Sequence, residues 1–109
     1  MAIRTYRQTL VADATSRTYQ VEGGADGHLE PISLTLTGSF NSATCTLQVS
    51  TADTSPLVFA AASSGAFTAA GGHNFELLPG MHFRFVNASS GSPQASVTYS
   101  VRGEIKIVA

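Results

Sequence analysis

Asp26, His28 and Glu30 stand at alternate positions in a glycine-rich stretch running from Glu22 to Pro31. Carboxylate and imidazole are the ordinary ligands of a divalent metal, so this spacing is the first place to look for chemistry. The set is incomplete. His73 and His82 lie far along the chain without ligand spacing, so a solvated loop is expected there, and no metal. Gly23, Gly24 and Gly27 lack the spacing of a phosphate cradle, and no helix pattern follows them. Cys45 alternates with Leu47 and Val49 on one apolar face, which predicts a buried small hydrophobe rather than an activated nucleophile. With no recognisable Ser/His/Asp set, paired carboxylates or cofactor motif, neither enzymatic activity nor a cofactor is expected.

The elements that would position these residues read as short strands. Ile32, Leu34 and Leu36 alternate with Ser33, Thr35 and Thr37, and the run ends at Gly38-Ser39. Cys45, Leu47 and Val49 alternate with Thr44, Thr46, Gln48 and Ser50 in a second strand. Asn74 to Asn87 reads as a β-hairpin whose arms present Phe75 and Leu77, then Met81, Phe83 and Phe85; Pro79-Gly80 suits the centre of a type II turn. The clearest period belongs to the last strand, with Val97, Tyr99, Val101, Ile105 and Ile107 on one face. Gly103 stands where a core side chain would be, which predicts a bulge or a close backbone approach. Thr98, Ser100, Arg102, Glu104 and Lys106 on the other face suit an exposed strand protected from edge pairing.

The other segments are less regular. Ile3 to Val11 sends Tyr6 and Leu10 one way and Ile3 and Val11 the other, as an edge strand or an arm would. Asp13-Ala14-Thr15, Asp53-Thr54-Ser55-Pro56 and Ala88 to Pro93 read as turns. Arg17, Tyr19 and Val21 read as a short strand, and so does Leu57-Val58-Phe59. Ala60 to Gly72 could begin as a helix, but Ser63-Ser64-Gly65 and Gly71-Gly72 interrupt it, which favours a structured loop pinned by Phe67. Seven or eight strands with turns about every ten residues predict a β-sandwich or small barrel, the first choice being an all-β, single-domain antiparallel β-sandwich over residues 1–109, jelly-roll-like, with 1–12 as an N-terminal arm or edge strand.

At 109 residues the chain can bury one core. Its charged fraction of 12% is about half the usual value, and the formal net charge is -1. No electrostatic footprint for nucleic acid or an anionic membrane is present. Low charge weakens repulsion between copies and suits a protein packed against others. One cysteine allows no intrachain disulfide, and the residues after Met1 lack the apolar run of a signal peptide, so synthesis in a cytoplasm is expected. Asn87-Ala88-Ser89 matches a glycosylation acceptor, a chance match without a secretory route.

Three blocks carry a family resemblance: Gly38, Phe40, Ala43-Thr44, Leu47-Gln48, Ser50 and Asp53; Phe75, Leu77, Gly80 and Phe83-Arg84-Phe85; and Ser89-Ser90-Gly91-Ser92 leading into the last strand. Over roughly Ile32 to Ile107 the chain resembles the small β-sandwich decoration or cement proteins of tailed-bacteriophage virions. The resemblance implies a jelly-roll or related sandwich on the outer capsid surface. There it would contact the major capsid protein and copies of itself, often as a homotrimer, and strengthen the shell against internal DNA pressure. Expected contact elements are the N-terminal segment, with Ile3, Arg4, Tyr6 and Arg7, and the loops Glu22–Pro31 and Ala60–Gly72. For the N-terminal segment, an edge strand closing its own sheet is the competing expectation.

Two other classes compete. A receptor- or carbohydrate-binding module of a phage tail or adhesin would place a ligand site at one end of the sandwich. Sugar platforms use exposed aromatics, whereas Trp is absent and the Phe and Tyr residues mostly fall at core positions. A small cupin-like enzyme would need His28, His73 and His82 to converge.

Overall fold

The computed structural model describes residues 3–23, 28–50, 57–88 and 94–109. Among them the regular elements are ten strands: β1 (Arg4–Val11), β2 (Ala14–Thr15), β3 (Tyr19–Val21), β4 (Glu30–Ser39), β5 (Thr44–Ser50), β6 (Ala60–Phe67), β7 (Gly71–Leu77), β8 (His82–Ala88), β9 (Ser96–Gly103) and β10 (Ile105–Ile107). One sheet has the order β1-β9-β4-β7; the other has β10-β3-β8-β5-β6, with β2 also on β8. Every pairing is antiparallel. The chain is an all-β, two-sheet sandwich.

The pairings nest. β1 pairs with β9, β3 with β8, β4 with β7 and β5 with β6, as if one long hairpin with its tip at β5 and β6 had been rolled up. The first and third of these pairs share a sheet through β4 and β9, and the other two through β5 and β8.

Alternation explains which faces meet. Ile32, Leu34 and Leu36 of β4 and Val97, Tyr99 and Val101 of β9 are buried, while Ser33, Thr35 and Thr37 are exposed. Across the core stand Tyr19, Cys45, Leu47, Phe83 and Phe85 from the second sheet. Tyr19 stacks on Phe83 at 5.2 Å between centroids, and Phe85 meets Tyr99 at 4.7 Å. Each such pair contributes about 0.5–1.5 kcal/mol beyond the area it buries.

Asn74 to Asn87 is not a hairpin, which corrects the sequence reading. β7 lies in the first sheet against β4, and β8 lies in the second. The turn itself forms as expected: the Met81 amide donates to the Leu78 carbonyl at 3.2 Å, and Gly80 adopts φ 91°. Type II turns twist against the strands of a two-residue hairpin and splay them apart, so this one carries the chain from one sheet to the other.

Other expectations also change. Ala60 to Gly72 is not a loop: it holds all of β6 and the start of β7, and Leu57-Val58-Phe59 lies outside any strand. Ala14 and Thr15 pair with β8 rather than turning, and Arg17 precedes β3. β9 runs between β1 and β4, so its polar face is not that of an exposed edge. The long last strand is two, β9 and β10, in different sheets. Where the chain crosses, Gly103 is approached by the β4 backbone: a Cβ there would lie 3.2 Å from the Pro31 oxygen. Gly38 is tighter still, with φ 103° and a would-be Cβ 2.2 Å from the Ser96 oxygen. The turns at Asp53–Pro56 and over 89–93, and Asp26 with its neighbours 24, 25 and 27, lie outside the described residues.

Candidate interaction surface

The N-terminal residues singled out by sequence divide between inside and outside. β1 is an edge strand closing its own sheet against β9. Arg4 Nη1 donates to Glu22 Oε1 at 2.9 Å and to the Ile105 carbonyl at 3.2 Å, bridging β1 to the second sheet. Tyr6 is half-buried with its ring 5.4 Å from that of Tyr19. Ile3 and Arg7 are exposed.

Behind them is a polar chain that the sequence reading missed. The Tyr19 and Tyr99 hydroxyls hydrogen-bond across the core, and Tyr99 donates onward to Gln8 Oε1 at 2.8 Å, so Tyr19 is the donor in the first link. Gln8 Oε1 also accepts the Arg17 amide at 3.2 Å. Ser16 Oγ donates to the Arg17 carbonyl and accepts the Phe85 amide, each at 2.8 Å. Burial pushes the titration of both tyrosines above the ordinary phenol range. These groups staple β1, β3, β8 and β9 together.

The histidines sit apart. His28 is exposed ahead of β4. His73 lies on β7, 4.3 Å from the Phe67 ring, and His82 is buried on β8 opposite Ser50 and Gln20. Among the described residues no three His, Cys, Asp or Glu side chains form a group able to hold a metal. Cys45 is fully buried, and desolvation pushes its thiol up to about 11, so it stays protonated at neutral pH.

Two surface features remain. Between β6 and β7, which are the edges of opposite sheets, opens a cleft of about 770 Å3. Leu47, Phe67, Phe75 and Leu77 line it, and His73 and Glu76 stand among its polar residues. The second feature is one end of the sandwich. Ile3 precedes β1, Leu29 precedes β4, Leu78 follows β7 and Val58 lies just before β6; their exposures are 60%, 52%, 43% and 69%. Pairing of Arg4 with Gly103, Glu30 with Leu77, Ala60 with Val49 and Ser50 with His82 brings these strand ends to the same end of the molecule. Strand and sheet spacings make that face about 15 Å by about 10 Å. Glu22, Glu30 and Glu104 belong to the same end. Among the described residues, that end of the sandwich therefore carries exposed apolar side chains together with carboxylates. Of this group the sequence singles out Ile3 by name and Leu29 within the expected contact loop Glu22–Pro31, whereas Val58 and Leu78 come from other segments.

No protein-family model matches the chain, and no curated protein matches it significantly.

Proposed function

We propose that this chain is a structural virion protein of a tailed bacteriophage that binds the outer capsid surface and stabilises the shell, alongside copies of itself and without catalysis of its own. The observation that carries this reading is the apolar end face of Ile3, Leu29, Val58 and Leu78, a surface that fits docking on a protein wall. Two further points support it. The first is the resemblance of the Gly38 to Asp53 and Phe75 to Phe85 blocks to capsid decoration proteins. The second is the nested strand order, which is that of an eight-strand double Greek key; we therefore read the sandwich as a jelly roll, with β2 and β10 as additions. Jelly rolls also build lectins and cupins, so the end face and not the fold makes the choice. Modest contacts of this kind become effective when a lattice presents many sites at high local concentration.

The test is the copy number of the chain in purified virus particles, measured against the major shell protein by mass spectrometry. A fixed large fraction of the shell protein is expected, and it should fall at least tenfold in a Leu29→Asp/Leu78→Asp variant that retains its fold. Absence from particles would contradict the reading. A few copies per particle would favour a second one, a receptor- or carbohydrate-binding module of the tail. The β6–β7 cleft favours that alternative, because its aromatic floor and the polar groups of His73, Asn74 and Glu76 are the mixture that small-ligand sites use.

A further inference from the structure

Among the described residues five strands have an unpaired edge, and four of them are blunted, β2 by being only two residues long. β10 is three residues long and carries Lys106. β1 carries Arg4 and Arg7, and Arg4 reaches across to the Ile105 carbonyl. β6 is bulged: its partners on β5 jump from Ala66 opposite Thr46 to Ala61 opposite Gln48, and Ser64 adopts φ 56°. Short length, cations and bulges are the usual devices against stray strand pairing. β7 has none of these, and its one carboxylate is Glu76. It pairs with β4 in unbroken register from Gly71 to Leu77, contains no Lys, Arg or Pro, and leaves its other edge open. An unprotected straight edge is a template for a further strand.

The sequence of β7 suits a second copy of itself. Antiparallel pairing about a two-fold axis at Asn74, the middle of the strand, keeps all seven residues paired. Glu76 then faces the partner's Gly72, Leu77 faces the partner's Gly71, and Phe75 faces the partner's His73. Nothing lies within 4 Å of where a Cβ on Gly72 would be, which leaves room for the incoming carboxylate side chain. A one-residue slip of one strand would oppose inward to outward side chains, and a two-fold at Glu76 would oppose two carboxylates. On the inner face, the Phe75 and His73 pairs would extend the aromatic group at Phe67 over the mouth of the cleft. A net charge of -1 offers little repulsion between copies.

We propose that β7 is the seam of a two-fold dimer, in which the β7 strands of two copies pair antiparallel about Asn74 and join their first sheets into one. The contact differs from the threefold arrangement that the resemblance implies, and it rests on the reading of the chain as one that works beside copies of itself.

The test is disulfide trapping of the full chain. Directly opposed residues at the axis have Cα atoms about 4.5–5.5 Å apart, inside the disulfide window. Under mild oxidation Asn74→Cys should therefore crosslink into dimers at least tenfold faster than Ser33→Cys. Ser33 pairs with Asn74 one strand inward and would stand about 14 Å from its counterpart. If the cysteine variant folds poorly by circular dichroism, Asn74→Lys and Asn74→Glu replace it: each alone should be monomeric in sedimentation, and their mixture dimeric. The inference is overturned by equal crosslinking at the two positions, by a charge-variant mixture that stays monomeric, or by a wild-type chain that is monomeric at the trapping concentration. Dimers from a chain absent from particles would sink the capsid reading alone. Abundant copies on particles without trapping at Asn74 would sink the seam alone.

Discussion

The two long sides of the sandwich are closed by different means, or not closed. On the β1–β10 side, long side chains span the gap: Arg4 reaches Glu22 and the Ile105 carbonyl, Tyr6 packs on Tyr19, and Gln8 takes the end of the tyrosine chain. On the β6–β7 side Phe67 meets His73 at 4.3 Å beside the connecting turn, but further along the rim Ala62 and Gly65 are too short to cross a sheet separation of about 10 Å, and a cleft of about 770 Å3 is left. Both sides are built from the same alternating strands. Side-chain reach at the rim, not the period of the strands, decides which side is sealed and which is free to meet another molecule.

Truncating one aromatic on each side should separate the two by stability. Tyr19→Ala, which empties a fully buried site and cuts the hydroxyl chain, should cost about 3–5 kcal/mol. Phe75→Ala, on the half-buried wall of the cleft, should cost about 1–2 kcal/mol. Equal losses in denaturant unfolding would mean that the cleft side is as integral to stability as the stapled side.

Alkali should destabilise the core by less than loss of Tyr19. Burial raises Cys45 from 9.0 to about 11 and raises Tyr19 and Tyr99 above 10.0, so the folded chain holds these protons more tightly than the unfolded one. The unfolded state therefore releases them first, and the stability they contribute is complete below about pH 9 and falls as pH rises from there. The thiol alone should account for about 2–3 kcal/mol lost between pH 9 and 11. Melting curves of Cys45→Ala should keep that part and lose only the part due to the tyrosines. If variant and wild type decline together up to pH 11, the thiol is not sealed from the cleft that opens beside its ladder partner Phe67.

How much could be read from the chain follows from the same contrast. β4, β5 and β9 were legible because a half-buried strand must alternate, and Ile32 to Leu36, Cys45 to Leu47 and Val97 to Val101 do so cleanly. β6 was not, because Ala60 to Gly65 are too small and uniform to carry a period. The Leu78 to Met81 turn was legible, but the sheet assignment of its two strands was not, since alternation says which face is buried and not against which neighbour. The Tyr19–Tyr99 link joins residues 80 apart, and no local signal announces it. Of the N-terminal candidates, Ile3 stands on the apolar end face and Arg7 is exposed, whereas Arg4 and Tyr6 are engaged within the fold. Leu29, Val58 and Leu78 could not be joined to Ile3 without the registers that bring four strand ends together.

The most direct measurement is amide hydrogen exchange on the full chain across a dilution series, comparing the two edges of the first sheet. If the cleft side is the side left open for pairing, protection of the Gly71–Leu77 amides should rise with protein concentration, while that of Arg4–Val11 stays constant. Exchange at β7 that ignores concentration, or that changes in step with β1, would contradict the account.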